Sequence, residues 1–248
     1  MIPSPSLSIV IPAYNEERRL APTLAAVRAY LDGSPYPDAE IVVVDDGSRD
    51  GTAALVEAAS KEDPRVRLLR NPGNRGKGYA LRNGMQDARG EWVLFSDADL
   101  SAPIDELGKL LDAARERNAH VAIGSRALDR SLVGVHQGAV RELAGRFFNL
   151  VMRVCTGLPF ADTQCGFKLY RRDAAQAVFS RQQLDGFSFD VEDLYIAKVL
   201  RLSAVEVPVR WNNVDGTKVS LLGGMRPFWD LLLIRWYHLN GRYRAGSA

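Results

Sequence analysis

Two aspartates one residue apart, Asp97 and Asp99 in Ser96-Asp-Ala-Asp-Leu-Ser101, follow the apolar run Trp92–Phe95. Carboxylates at i and i+2 where a chain leaves a strand can approach one hard divalent cation, which favours oxygen ligands. Such a cation can bind two phosphate oxygens and offset charge on a leaving nucleoside diphosphate. An ordinary acidic turn is the plainer alternative. A second acidic pair, Asp45 and Asp46, opens Asp45-Asp-Gly-Ser-Arg-Asp-Gly-Thr52 directly after Ile41–Val44. Adjacent carboxylates are costly to bury unpaired, so these must meet solvent, a cation or a ligand. Ser48 or Asp50 as a helix cap explains half of the segment. It does not explain Asp45 at the end of an apolar run.

Two further segments have the same placement. Pro12-Ala-Tyr-Asn-Glu-Glu17 follows Leu7–Ile11; a polar cluster with an aromatic can stack on a base and bond its edge, or can start a helix capped by Asn15. Asn71-Pro-Gly-Asn-Arg-Gly-Lys-Gly78 is a glycine-rich loop before a helical pattern. It can bring backbone N–H groups and Lys77 to an anion. It is not a P-loop, because the spacing differs and no Ser or Thr follows the lysine.

These residues need elements to hold them. Leu7–Ile11, Ile41–Val44, Val66–Leu69, Trp92–Phe95 and Val121–Ile123 are short Val/Ile/Leu-rich runs, as expected of strands buried on both faces. Helical patterns lie between them, around Arg18–Leu31, Thr52–Ser60, Gly78–Ala88 and Ile104–Arg117. That alternation predicts an α/β fold, a mostly parallel sheet with helices on both faces and right-handed crossovers. In such sheets ligands sit beyond the carboxyl ends of the strands, where the unusual residues fall. The second half predicts an amphipathic helix near 140–156, strands at Gly166–Tyr170 and Val205–Val209, helices near Ala174–Phe179 and Val191–Leu200, and an aromatic, apolar C-terminal segment with scattered charges.

Composition narrows the functions. A net charge of +2 without a dense Lys/Arg block argues against nucleic acid. The two cysteines, Cys155 and Cys165, have no partners at ligand spacing, which points away from zinc or a disulfide framework and toward a reducing cytoplasm. The N-terminus does not read as a secretory leader, and no run approaches the roughly 20 apolar residues of a membrane span. The first βα turn lacks a glycine fingerprint, which rejects a dinucleotide dehydrogenase.

Taken in order, the four segments resemble the family 2 glycosyltransferases of the GT-A fold. Gly124-Ser-Arg126, Asp162-Thr-Gln-Cys-Gly-Phe-Lys-Leu-Tyr170, Phe189-Asp-Val-Glu-Asp193 and Val207-Pro-Val-Arg-Trp211 are similar to the dolichyl-phosphate glucose and mannose synthase branch. The resemblance covers roughly residues 6 to 222. It implies a GT-A domain over 1–222, with a donor half to about 125 and an acceptor half from about 126, and a C-terminal segment 223–248 that could lie on a membrane or pack on the sheet.

The resemblance also implies roles. Pro12, Tyr14, Glu16, Asp45 and Asp46 would line the base and ribose pocket with Lys77 nearby, and Asp97 and Asp99 would hold Mg²⁺ or Mn²⁺ on the donor diphosphate, Asp99 foremost. Arg126 and Arg141 would bind the lipid phosphate, Gln164 is counted with the substrate-binding residues, and Lys218 matches a segment that folds over the diphosphate. Asp190, Asp99 and Arg126 bear on the reaction itself, Asp190 either as a base or as an orienting group, since a phosphate acceptor is already ionised. Mannose-type relatives often carry a glutamine two residues beyond the second aspartate; Ser101 stands here and leans toward glucose. The implied activity is inverting transfer of a hexose, UDP-glucose favoured, to a polyprenyl phosphate at the cytoplasmic membrane face by a peripheral enzyme. The rivals are a GDP-mannose donor, a soluble acceptor, or a non-catalytic nucleotide-sugar-binding scaffold.

Overall fold

The computed structural model describes residues 6–134, 151–212 and 226–244. The strands β1 (Leu7–Ala13), β2 (Glu40–Asp45), β3 (Val66–Arg70), β4 (Trp92–Ser96), β5 (Val121–Ser125), β6 (Phe167–Arg171) and β7 (Ala204–Pro208) form one seven-stranded sheet in the order β3-β2-β1-β4-β6-β5-β7. All pairings are parallel except those of β6, which runs antiparallel to both β4 and β5. The strands read as continuous apolar runs because both faces are covered. Along β1, Ile9 and Ile11 enter one core and Val10 the other; along β2, Ile41 and Val43 oppose Val42 and Val44 in the same way.

Helices among the described residues include α1 (Glu17–Asp32), α2 (Thr52–Glu62), α3 (Lys77–Asp87), α4 (Leu107–Glu116), α5 (Arg172–Phe179), α6 (Phe189–Val199) and α7 (Arg226–Leu239). Leu20, Leu24, Val27 and Leu31 of α1 fill the first core with Leu107, Leu110 and Leu111 of α4. The second core takes Leu81 and Met85 of α3, Val178 of α5, and Leu194 and Ile196 of α6. Every residue of α6 from Phe189 to Ala197 is buried, the mark of a helix enclosed on all sides. It nevertheless carries Asp190, Glu192 and Asp193. Leu231 and Ile234 of α7 join the second core with Tyr243, while Trp229, Leu232, Leu233, Trp236 and Leu239 stay exposed.

The α/β architecture with helices on both faces is as the sequence leads one to expect. Three details differ. Strand β6 is antiparallel, a direction that an apolar run does not encode. The helix expected over Ile104–Arg117 splits into a 3₁₀ turn, Ile104–Glu106, and α4. Asn15 is not the cap of α1, which begins after Glu16 without a side-chain cap. Of the helix expected near 140–156, only the end, 151–156, is described, and it is helical.

Because β1, β2, β4 and β5 are parallel, their carboxyl ends share one edge of the sheet. The antiparallel β6 contributes its amino end there, setting Phe167 beside Ser96.

Candidate active site

The loops after β1 and β2 are knitted together by short polar side chains. Asn15, in the left-handed region at φ 52°, donates its N–H to Ser48 Oγ (2.9 Å) and accepts the Arg49 N–H (2.8 Å). The Glu16 N–H reaches Thr52 Oγ1 (2.8 Å), and Glu17 Oε2 accepts the Gly51 N–H (3.1 Å). Asp50 covers the first turn of α2 through the Thr52 N–H (3.0 Å). These bonds hold Pro12, Tyr14 and Glu16 beside the end of β2, where Asp45 is buried and accepts the Ser48 N–H (3.2 Å). The Glu16 carboxylate is bidentate with Arg19 (2.6 and 2.8 Å), and Arg19 Nη1 lies 4.0 Å from Asp99 Oδ2.

Asp46 is committed to its own scaffold. Its carboxylate accepts Asn71 Nδ2 (2.7 Å) and the N–H groups of Arg75 (3.1 Å) and Gly76 (2.8 Å). Beyond Lys77, the N–H groups of Gly78 and Tyr79 go to the Asp185 carbonyl at 2.9 and 3.3 Å. The expectation that this glycine-rich loop cradles an anion through its backbone is thereby corrected at those four positions. A carboxylate and a carbonyl of the protein already occupy them. The loop offers the Lys77 side chain instead.

Lys77 Nζ lies 2.7 Å from Asp97 Oδ1. Burial works against the ammonium, but Asp97, aided by Asp190 and Asp99, outweighs it and holds its pKa above the ordinary value. Burial pushes the Asp97 carboxyl above the usual range, and Lys77 offsets this only in part. The Asp97 N–H donates to the Gly166 carbonyl (3.1 Å), and its carboxylate lies where a β-carbon on Gly166 would be. Asp99 Oδ1 accepts the Ser101 N–H (3.0 Å).

Beside this pair stands a second, which joins Asp190 to a lysine that the motifs did not single out. Lys168 on β6 is fully buried, with Nζ 2.5 Å from Asp190 Oδ1 and 3.2 Å from both Asp193 Oδ2 and the Asp190 carbonyl. The Tyr170 hydroxyl donates to Asp193 Oδ2 (2.8 Å). Burial disfavours the Lys168 ammonium, yet Asp190 and Asp193 overcome this and raise its pKa. Burial likewise raises the Asp193 carboxyl, against the pull of Lys168. The two ion pairs share one aromatic wall, since Lys77 Nζ and Lys168 Nζ each lie 5.8 Å from the centre of the Phe189 ring.

Arg126, at the end of β5, is held by Asp162: its Nε and Nη2 reach the two carboxylate oxygens at 2.6 and 2.8 Å, and its N–H adds a third bond at 3.0 Å. Burial alone would raise the Asp162 carboxyl, but Arg126 holds it below the usual range. The guanidinium stacks 5.3 Å from the centre of the Trp211 ring. Gln164 is exposed, and its N–H donates to Asp162 Oδ1 (3.1 Å). Cys165 is buried next to this pair, and burial pushes its thiol up to about 12. Arg141 and Lys218 lie outside the described residues.

The donor set decides what cation would fit. Among the described residues no group of three or more His, Cys, Asp or Glu converges on one point, which does not suit a closed all-protein cage. Two carboxylates at a strand end, Asp97 and Asp99, suit a hard cation that shares its coordination with water and diphosphate oxygens.

Residues 8–179 match the model of glycosyl transferase family 2. The chain is 37% identical over 264 residues to a dolichyl-phosphate beta-glucosyltransferase of Drosophila melanogaster, covering 99% of this chain and 79% of that protein. It is 34% identical over 261 residues to the Homo sapiens protein of the same name, covering 98% and 78%. Among solved structures, mannosyl-3-phosphoglycerate synthase from Rubrobacter xylanophilus superposes with a TM-score of 0.70 at 18% identity, covering 98% of this chain and 77% of that one. Glucosyl-3-phosphoglycerate synthase from Mycobacterium tuberculosis, in complex with Mn²⁺ and UDP-glucose, superposes with a TM-score of 0.66 at 22% identity, covering 93% and 79%. The two solved structures bear on the fold, which is GT-A.

Proposed function

The chain belongs to glycosyl transferase family 2, and from that premise we propose that it transfers glucose from UDP-glucose to a dolichyl or other polyprenyl phosphate, with inversion, at the cytoplasmic face of a membrane. The observation that carries this reading is the Lys77–Asp97 pair, with Asp99, at the carboxyl end of β4, one aromatic ring away from the buried Asp190–Lys168 pair. The likeness to dolichyl-phosphate beta-glucosyltransferases over nearly the whole chain supports the choice of sugar and acceptor.

The loops after β1 and β2 bind the nucleoside, with Tyr14 on the base and Asp45 at the ribose. Asp97 and Asp99 would hold Mg²⁺ or Mn²⁺, which would supply positive charge to the diphosphate as it leaves. Lys77 adds a fixed positive charge to the same group. An oxygen of the acceptor phosphate attacks the anomeric carbon as the bond to the UDP oxygen breaks, so the product is a β-linked glucosyl phosphate. That nucleophile carries about −1.5 to −2 charges near neutral pH and needs positioning more than deprotonation. Asp190 suits this, because its carboxylate is bound by the buried Lys168 ammonium at 2.5 Å and so is held in one orientation. We read it as an orienting group. Arg126, with Arg141 and Lys218, supplies positive charge to the acceptor phosphate and the diphosphate.

The acceptor's lipid requires a membrane contact. Among the described residues no helix is long and apolar enough to cross a bilayer. The exposed Trp229, Leu232, Leu233, Trp236 and Leu239 fall within one arc of α7, opposite the buried Leu231 and Ile234. An interfacial helix presents such a face to the acyl boundary, and we assign α7 this part.

The test is initial transfer rates from UDP-glucose, GDP-glucose and GDP-mannose to a short polyprenyl phosphate and to the matching polyprenol, with and without EDTA. The reading expects UDP-glucose with the phosphate to be the active pair and EDTA to abolish it. Preference for GDP-mannose, or transfer to the free alcohol, would overturn it.

A further inference from the structure

Lys77 opens α3, and α3 starts on a loop from elsewhere in the chain. The Asp185 carbonyl receives the Gly78 and Tyr79 N–H groups. Gln182 Nε2 donates to the carbonyls of Gly78 (3.0 Å) and Leu184 (2.8 Å), and Arg82 of α3 reaches the Gln182 carbonyl (3.1 Å) and the Asp185 carboxylate (2.8 Å). The approach is close enough to demand glycine. A β-carbon at Gly76, whose φ is +110°, would meet the Asp185 carbonyl, and one at Gly78 would meet those of Leu184 and Gly186. Residues 182–186 thus hold the first turn of α3 on one side of Lys77, as Asp46 holds Arg75 and Gly76 on the other.

That loop is in turn fixed by one carboxylate. Glu192 of α6 is fully buried; its Oε1 accepts the Gln183 N–H (3.0 Å) and its Oε2 the Leu184 N–H (2.8 Å). The hydroxyl of Tyr243, itself fully buried beyond α7, donates to Oε1 at 2.6 Å. A carboxylate holding two consecutive backbone N–H groups leaves a loop little freedom. The hydrogen bonds of Glu192 go to the 183–184 backbone and to Tyr243, so through them Glu192 bears on Lys77 by way of the loop and α3.

We infer that Glu192 is a positioning residue for Lys77, acting through residues 183–186 and anchored by Tyr243, so that the α6 carboxylate two residues from Asp190 serves the nucleoside diphosphate and not the acceptor. The inference rests on the reading of Lys77 as a donor-diphosphate group. It also gives the C-terminal segment a task at the donor site: Tyr243 holds the Glu192 carboxylate toward the loop.

The experiment is a double-mutant cycle on the full chain, with binding of UDP in the presence of Mn²⁺ measured by calorimetry, alongside KM for donor and acceptor. Glu192→Gln should weaken UDP on the order of 10-fold, the scale on which outer partners tune a binding group, and leave the acceptor KM unchanged. Lys77→Ala should weaken UDP as well, and adding Glu192→Gln to it should cause no further loss, because the two act as one unit. A wild-type affinity in Glu192→Gln, a loss that adds in full to that of Lys77→Ala, or a raised acceptor KM with an unchanged donor KM would overturn the inference alone. A wild-type affinity in Lys77→Ala would overturn it together with the donor reading beneath it. Should Glu192→Gln fail to fold, Tyr243→Phe replaces it in the same cycle, with a loss of about 3-fold expected from removal of one hydrogen bond.

Discussion

The carboxylate of Asp97 occupies the space that a side chain on Gly166 would need, across the antiparallel junction of β4 and β6. Glycine at 166 is a requirement of the aspartate opposite. Asp97 in turn keeps its pairing with Lys77 only while that space stays open.

Gly166→Ala should therefore act as an active-site variant. The new methyl group displaces the Asp97 carboxylate, and misplacement by about an ångström at a reacting centre costs on the order of 10²-fold in rate. Initial rates with UDP-glucose, read beside the thermal midpoint, check this. Wild-type turnover would show that Asp97 tolerates the shift.

Lys168→Met should destabilise the fold by about 3–5 kcal/mol, since it strands two buried carboxylates, Asp190 and Asp193, without their cation. Urea unfolding measures the loss. Replacing Asp193 by Asn in the same chain removes one stranded charge and should restore part of the stability.

Asp162 gives a dependence on pH with a definite sign. Its folded pKa is depressed, because Arg126 more than offsets burial. The pair then contributes stability that is fully present above the unfolded carboxyl value, about 3.9, and is lost as pH falls through the lower folded value. Asp162→Asn should cost about 3 kcal/mol at pH 7, and the gap between variant and wild type should narrow below about pH 4. An equal gap at pH 7 and pH 3 would count against the ion pair as its source.

The exposed face of α7 is tested by Trp229→Ala with Trp236→Ala. Both side chains are more than half exposed, so folding should be unchanged, while co-sedimentation with anionic vesicles should fall about 10-fold or more. Activity on a short, water-soluble acceptor should survive. Vesicle binding equal to wild type would remove α7 from the membrane contact.

Much of this arrangement is legible in the sequence, for a physical reason. Strands buried on both faces must be apolar throughout, so the polar residues that end them, Asp45 and Asp97 above all, stand out against their runs. What is not legible depends on contacts between distant segments. Lys168 reads as a polar residue within Phe167–Arg171; only the fold sets α6 and its carboxylates against it. The reversed direction of β6 follows from the chain's route, and that reversal brings Gly166 to Asp97. Asp46 and the loop after β3 share the composition of an anion site, yet they satisfy one another. Composition cannot separate a loop that binds an anion from one that already holds a carboxylate of its own chain. The segment Phe189–Asp193 is legible as acidic, but its three carboxylates part company in the fold: Asp190 and Asp193 meet Lys168, and Glu192 meets the 183–184 backbone.

The proposed transfer depends on Asp97 and Asp99 holding a divalent cation on a leaving UDP. It is tested most directly by glucosyl transfer from UDP-glucose to a short polyprenyl phosphate, measured across a Mn²⁺ titration for wild type and Asp99→Asn. The expected result is a wild-type rate that is absent in EDTA and saturates with metal, and a variant whose kcat is lower by about 10²-fold or more with a higher metal requirement. Turnover of Asp99→Asn close to that of wild type, or wild-type turnover that survives EDTA, would contradict it.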